Sequence, residues 1–144
     1  MKFDRSSRKR ATALATMLVA TSGVAVFTGG AAQAAPPTCT RSATVGGQTN
    51  PIRVPVSSGG STTCQLTVGN SGAGVRALQD ALLSCYNQRI EIDGDFGNAT
   101  KAALRTAQTR IGVTSDGIYG PNTSARLKFM SLLNCYTIAQ ATAN

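Results

Sequence analysis

The sequence contains one eight-residue phrase twice, at a constant offset of 23 residues. Residues 93–100 read DGDFGNAT and residues 116–123 read DGIYGPNT, so Asp, Gly, an aromatic residue, Gly and Thr recur in the same order. Each copy is followed by an alanine-containing segment that reaches a leucine within one helical turn. Two copies are too few for a solenoid. The repeat therefore predicts two equivalent turns that each start a helix of one small domain.

Turn chemistry explains most of the repeated residues. An Asp-Gly pair favours a tight turn, because the carboxylate accepts nearby backbone amides and glycine adopts positive φ. We expect Phe96 and Tyr119 to place a ring on the core beside each turn, and Pro121 suits the first position of a helix. The residues predicted to form the turns are Asp93, Gly94, Asp116 and Gly117.

The apolar spacing predicts three helices, which begin near Ser71, Asn98 and Pro121 and end near residues 87, 110 and 133. The third has Leu127, Met130 and Leu133 or Asn134 along one side. The fold class predicted is mainly α: a small three-helix bundle with Asp-Gly turns, preceded by a short disulfide-tied extended segment. The residues predicted to form its core are Leu78, Leu82, Leu104 and Leu127.

The first 34 residues have the order of parts of a secretory signal peptide: a basic start, an apolar run and a small-residue cleavage pattern at AAQA. A membrane anchor is the alternative, but the apolar run is interrupted by Thr, Ser and Gly. We divide the rest into an extended or hairpin-like segment (35–65), a binding domain (66–136) and a C-terminal tail (137–144).

Charge argues against a nucleic-acid binder. The net charge is +8, but residues 1–34 hold five of the 14 Lys and Arg and one of the six Asp and Glu, so the exported chain carries +4. Its basic residues are scattered and lack interleaved aromatics, unlike a nucleic-acid site. We expect no nucleic-acid partner, no membrane span after cleavage, and a monomer.

The four cysteines, Cys39, Cys64, Cys85 and Cys135, predict two disulfides in a small exported chain. Three pairings are possible. We favour Cys39–Cys64 and Cys85–Cys135, because LLSCY and LLNCY both resemble the last turn of a helix, and two such ends side by side would bring their cysteines together. Closing the second loop would contribute about 4 kcal/mol.

The sequence lacks the residues that most catalytic mechanisms need. There is no histidine, which removes imidazole-based nucleophilic and zinc sites, and the cysteines are expected to be oxidised. We therefore predict no metal, no cofactor and no enzymatic activity. The remaining option is a wall hydrolase that uses the Glu91 and Asp95 carboxylates.

The residues from Leu66 to about Leu132 resemble the peptidoglycan-binding domain family (of the type 1, three-helix kind). The resemblance is carried in order by the Gly69-Ser71-Gly72 opening, Val75, Leu78-Gln79, the first phrase, Gln108 and Gly112, the second phrase and Leu127. The cysteine-bearing form resembles secreted actinobacterial members. Ala107 stands where the family often has phenylalanine.

This resemblance implies a secreted, cell-wall-associated, non-catalytic protein whose partner is peptidoglycan, bound through its glycan strand or its stem peptide. A protein-interaction module derived from the same fold is a further alternative. Ligand contact is expected from polar or aromatic groups near the turns that have no evident core role, namely Asp95, Asn98, Tyr119, Asn122 and Arg126.

Overall fold

The computed structural model describes residues 32–143, of which 34–143 belong to one compact unit. The predicted signal peptide lies almost wholly outside the described residues. In chain order the elements are β1 Arg41–Val45, β2 Ile52–Val56, α1 Ala73–Tyr86, α2 Asn98–Ile111, α3 Pro121–Arg126, β3 Phe129–Ser131, β4 Asn134–Tyr136 and α4 Ile138–Thr142.

The extended segment before the helices is a hairpin. Strands β1 and β2 pair antiparallel, with Arg41 opposite Val56 and Val45 opposite Ile52. Most of β2 is buried and packs against α1, whereas β1 is largely accessible. The Pro residues beside and within β2 do not prevent pairing, because an edge strand tolerates a missing amide hydrogen.

Helix α1 begins two residues later than the predicted start at Ser71. Gly72 is its N-cap residue and makes no side-chain cap, while Ser71 instead forms an isolated antiparallel bridge with Asp95. The helix ends at Asn87, which is left-handed with φ 55°. Helix α2 occupies the predicted range and ends at the predicted Gly112, which has φ 69°. The four predicted core leucines are all fully buried.

The predicted fold class, a mainly α three-helix bundle, is wrong. The described residues form four helices and four strands, and the strands make two separate two-stranded antiparallel sheets. The error lies chiefly in the third predicted helix, because only its first six residues are helical, as α3.

The chain changes from helix to strand directly after Arg126. Leu127 is extended, with φ −67° and ψ 138°. Burial then alternates along Leu127, Phe129 and Ser131, whose side chains are 0%, 1% and 3% exposed. A period of two is the pattern of a strand, whereas the prediction had used the helical spacing of Leu127, Met130 and Leu133.

Two contacts hold this segment out of a helix. The Lys128 backbone amide donates to the Tyr86 hydroxyl at 2.9 Å, and β3 pairs with β4 in a short hairpin. The hairpin exposes Leu132 and Leu133 at its turn, by 78% and 90%. Their lack of burial removes the apolar helix face on which the prediction depended.

Both predicted disulfides are confirmed. Cys39 is bonded to Cys64, and Cys85 to Cys135. Cys85 lies in the last turn of α1, as predicted, but Cys135 lies in strand β4 rather than at a helix end. The pairing was therefore correct although the similarity of the two surrounding sequences does not extend to their structure.

The predicted tail carries a helix of its own. Thr137 and Gln140 form a reciprocal capping box at the start of α4, and Ala141 on this helix is fully buried. No helix within residues 32–143 has the length and hydropathy needed to cross a membrane.

Candidate functional site

The first Asp-Gly turn is fixed to helix α1 by the buried side chain of Gln79. Its amide nitrogen donates to the Asp93 carboxylate at 2.8 Å and to the Thr100 hydroxyl at 3.0 Å. The same nitrogen lies 3.0 Å from the Asp95 carbonyl, and its amide oxygen accepts from the Gly94 backbone at 2.8 Å. One side chain therefore satisfies polar groups on both sides of the turn.

The second turn repeats this arrangement with Gln108 of helix α2. Its amide nitrogen donates to Asp116 at 2.8 Å and to Thr123 at 3.0 Å, and its amide oxygen accepts from the Gly117 backbone at 2.8 Å. Gly117 has φ 74°, a conformation for which glycine is suited. Gln79 and Gln108 are thus equivalent members of a larger repeated unit, a helix followed by a turn.

The structural role of these glutamines was missed in the sequence, although both belong to the quoted family pattern. The reason is spacing. The turns recur after 23 residues, but Gln108 follows Gln79 by 29. Helix α1 continues seven residues beyond Gln79, whereas α2 continues only three beyond Gln108, and the segment between helix and turn is two residues longer in the first copy. A sequence comparison that allows a gap of six residues, a little over one and a half helical turns, would have aligned Gln79 with Gln108.

A groove lies beside each repeated turn. The large groove, beside the second turn, has a volume of about 800 Å³, and the small groove, beside the first, about 240 Å³. Eight of the nine residues that line the small groove lie 23 positions before residues that line the large one. The polar and charged groups of the large groove include Gln65, Thr114, Asp116, Asn122 and Arg126.

The helix that follows the turn is shorter at the large groove, since α3 has 6 residues and α2 has 14. Helix α3 ends at Arg126, which is exposed and lines the large groove. The equivalent residue in the first copy, Ala103, is buried within the longer α2. The large groove also gains Gln65, for which the small groove has no counterpart.

The predicted ligand residues fall into three groups. Asn122 and Arg126 both line the large groove, and Asp95 lines the small one. Asn98 is exposed at the first position of α2. Tyr119 is fully buried, with 0% exposure, so its ring is a core side chain rather than a surface platform. Ligand contact by the exposed four stays a prediction.

Tyr119 contributes to the site through its backbone. Its amide and carbonyl exchange hydrogen bonds with those of Leu66, at 3.0 and 2.8 Å, which joins the second turn to the segment after the first disulfide. Burial raises the pKa of the Tyr119 hydroxyl, and the neighbouring Ser124 hydroxyl opposes this shift. The phenol therefore stays neutral at physiological pH.

The carboxylates proposed for hydrolysis, Glu91 and Asp95, line the same small groove as Asp93. Asp93 is occupied by the turn, since it accepts from the Asp95 amide at 2.9 Å and from Gln79. These two hydrogen bonds, the Asp95 amide first, lower the pKa of Asp93. Within the described residues, no three side chains of His, Cys, Asp or Glu come together as a set of metal ligands.

The repeated helix-turn unit agrees with comparisons to known proteins. Residues 71–127 match the family model described as "Putative peptidoglycan binding domain". An uncharacterised protein in the bpoA1 3′ region of Kitasatospora aureofaciens is 37% identical over 127 residues, which is 84% of this chain and 90% of that protein. The chain belongs to the peptidoglycan-binding domain family.

Other relatives of this peptidoglycan-binding domain protein are longer enzymes. The zinc D-Ala-D-Ala carboxypeptidase of Streptomyces albus G is 43% identical over 60 residues, which is 40% of this chain and 24% of the enzyme. The N-acetylmuramoyl-L-alanine amidase CwlL of Bacillus licheniformis is 40% identical over 63 residues, 40% of this chain and 18% of the enzyme. This chain therefore spans a quarter or less of these two enzymes.

Solved structures give a partial match. A peptidoglycan-binding protein from Clostridioides difficile, in complex with glutamine hydroxamate, is 35% identical with a TM-score of 0.45, covering 52% of this chain and 44% of that one. Family membership and the two disulfides indicate an extracellular or cell-wall setting for this chain.

Proposed function

We propose that this chain is a secreted, non-catalytic protein that binds cell-wall peptidoglycan in the large groove. The observation that carries the proposal is the groove itself. It has the volume of a small-molecule site, it is formed by the second repeat of a peptidoglycan-binding domain, and it contains two of the predicted ligand residues, Asn122 and Arg126.

The residues available support binding rather than catalysis. The chain has no histidine, and its four cysteines are all in disulfides. The polar side chains of the large groove are amides, hydroxyls, one carboxylate and one guanidinium. Such groups hold a ligand by hydrogen bonds, whereas acid-base hydrolysis of a sugar bond needs a second positioned carboxyl group.

The test is retention on purified peptidoglycan sacculi. Residues 34–144, which contain the compact unit, should co-sediment with sacculi at low salt. An unrelated folded protein is the control and should stay in the supernatant. The Asn122→Ala/Arg126→Ala variant should bind at least roughly tenfold more weakly, because it loses hydrogen bonds that include those of a charged donor. Arg89→Ala, in the small groove, is the matched control and should be retained like the wild type.

Two results would contradict the proposal. Recovery of the folded wild-type protein in the supernatant would remove peptidoglycan as the ligand and favour a protein partner. Clearing of a cell-wall suspension that Asp95→Asn abolishes would instead show the hydrolase activity.

A further inference from the structure

The large groove differs from a site for sugar rings in having no aromatic side chain along its lining. A sugar ring commonly offers its C–H face to an aromatic face, which supplies contact area at little entropic cost. Within the described residues that option is closed. Phe96, Tyr119 and Phe129 are at most 2% exposed and Tyr86 is 6% exposed. The more accessible Tyr136 lines a different, small pocket near the β3–β4 turn.

The polar groups of the large groove suit a peptide. Arg126 is exposed there, and a guanidinium can bind a carboxylate through two parallel hydrogen bonds. Asn122 and Gln65 each present an amide, which can both donate to a peptide carbonyl and accept from a peptide N–H. Asp116 also lines the groove, but one of its oxygens is occupied by Gln108 and the Ile118 amide.

Gln65 comes from outside the residues that match the family, 71–127. Its position is nevertheless tightly set. Its backbone amide donates to the Pro37 carbonyl at 2.8 Å, and its carbonyl accepts from the Cys39 amide at 2.9 Å. The residue before it is in the Cys39–Cys64 disulfide, and the residue after it, Leu66, is paired with Tyr119 of the second turn.

We infer that the large groove recognises the peptide portion of the wall polymer through a free carboxylate and adjacent peptide groups, with Gln65 of the N-terminal segment as a specificity-determining residue. This inference rests on the proposed function. Arg126 binds the carboxylate, and Gln65 and Asn122 bind the peptide groups beside it. The small groove has the same turn but alanines at positions 99 and 103 in place of Asn122 and Arg126, and no counterpart of Gln65.

The experiment compares two products of one digestion. An amidase that cuts between glycan and peptide releases peptide-free glycan strands and free stem peptides from the same sacculi. Each fraction is titrated into residues 34–144 by calorimetry, and amide shifts in the large groove are followed by NMR. The peptide should bind and shift residues of the large groove, and the glycan should do neither at the same concentration of repeating units.

Variants and a modified ligand define the contacts. Gln65→Ala should weaken peptide binding about three- to tenfold, the range expected for one or two neutral hydrogen bonds. Gln65→Glu, which keeps the size but adds a charge that repels a carboxylate, should weaken it further. Amidation of the peptide's free carboxylates should weaken wild-type binding at least tenfold and have little added effect on Arg126→Ala. Gln48→Ala is the matched control, an exposed glutamine of the same segment outside the groove.

The outcomes separate this inference from the proposed function. Retention on sacculi together with binding of the glycan but not the peptide would overturn the inference and leave peptidoglycan as the ligand. Peptide binding unchanged in a folded Gln65→Ala variant would overturn the role of Gln65. Failure to bind sacculi at all would overturn the proposed function itself.

Discussion

At the scale of single residues, each Asp-Gly turn is joined to the helix before it by one buried glutamine. Gln79 and Gln108 are 1% and 0% exposed, and each uses both ends of its amide to join a helix to a turn. A buried side-chain amide without hydrogen-bond partners costs free energy. Loss of the turn would therefore destabilise the buried glutamine, and loss of the glutamine would leave polar groups of the turn unpaired. Because the groups are fully paired, the backbone beside each groove is held in one conformation.

The Asp93 carboxylate should give stability that depends on pH. Its folded pKa is lowered, so its ionised form stabilises the fold above the unfolded pKa of about 4, and this contribution is lost as pH falls through the folded value. Asp93→Asn keeps an oxygen acceptor for the Asp95 amide and Gln79 but does not titrate. In urea unfolding at pH 7 and pH 3, the wild type should lose more stability on acidification than Asp93→Asn. Equal losses would contradict this account.

At the scale of elements, the backbone of helix α1 packs directly against the backbone of the N-terminal segment at Gly74. A Cβ atom placed on Gly74 would lie 2.5 Å from the Cys39 carbonyl oxygen and 3.0 Å from that of Arg41. Backbone atoms cannot move aside as the end of a flexible side chain can. The glycine is therefore required by close approach, although glycine lowers the stability of an isolated helix.

Gly74→Ala should destabilise the protein by about 1–3 kcal/mol, because the clash outweighs the gain in helix propensity. The matched control is Gly59→Ala, in an exposed loop where the added methyl would meet only the Ser57 hydroxyl at 3.9 Å. That variant should be within about 0.5 kcal/mol of the wild type. Chemical unfolding of the three proteins checks the prediction, and a stabilised Gly74→Ala would show that α1 is free to move away.

The helices also show how much of the secondary structure could be predicted from the sequence. Helix α2 was predicted almost to the residue, because Asn98 follows a turn and Gly112 supplies the left-handed end. The third helix was overextended, since Leu127, Met130 and Leu133 fit helical spacing as well as Leu127 and Phe129 fit a strand. What decides between them is the burial of Phe129 and the bond from Lys128 to Tyr86, 42 residues away. Local periodicity carries no information about such a contact.

The candidate site was predictable only in part, for a similar reason. Asn122 and Arg126 could be found because Asn122 lies within the second phrase and Arg126 follows it by three residues. Gln65 could not, since it reaches the groove through the pairing of Leu66 with Tyr119, 53 residues later in the chain. Tyr119 was predicted both to place its ring on the core and to contact the ligand, because an aromatic residue beside a turn is compatible with either side of it. Its full burial confirms the first prediction and leaves its ring no surface for the second.

At the scale of the whole molecule, the segments before and after the family region are part of one unit. The first disulfide, with both cysteines fully buried, ties the N-terminal hairpin beside the second turn. The C-terminal helix α4 packs against both strands of that hairpin and against α3. The folded unit thus extends well beyond residues 71–127, and the large groove depends on that extension.

Removal of the first disulfide should affect both stability and binding. Cys39→Ala/Cys64→Ala should lower the free energy of unfolding by about 3.5 kcal/mol, and Cys85→Ala/Cys135→Ala by about 4 kcal/mol, following the lengths of the loops they close. Only the first variant removes the disulfide at Cys64, the residue before Gln65. We therefore expect only this variant to weaken peptide binding at a temperature where both variants are folded. Unfolding curves and calorimetric titrations measure the two effects, and equal weakening of peptide binding in both variants would contradict the assignment.

The order of the disulfides along the chain has a consequence for biogenesis. The loop from Cys39 to Cys64 closes before Cys85 begins the second, so each cysteine is bonded to its immediate neighbour among the four. A polypeptide that emerges amino terminus first presents its cysteines in that same order. An oxidant that joins them as they appear therefore forms only native bonds, and no thiol–disulfide exchange is needed to correct the connectivity.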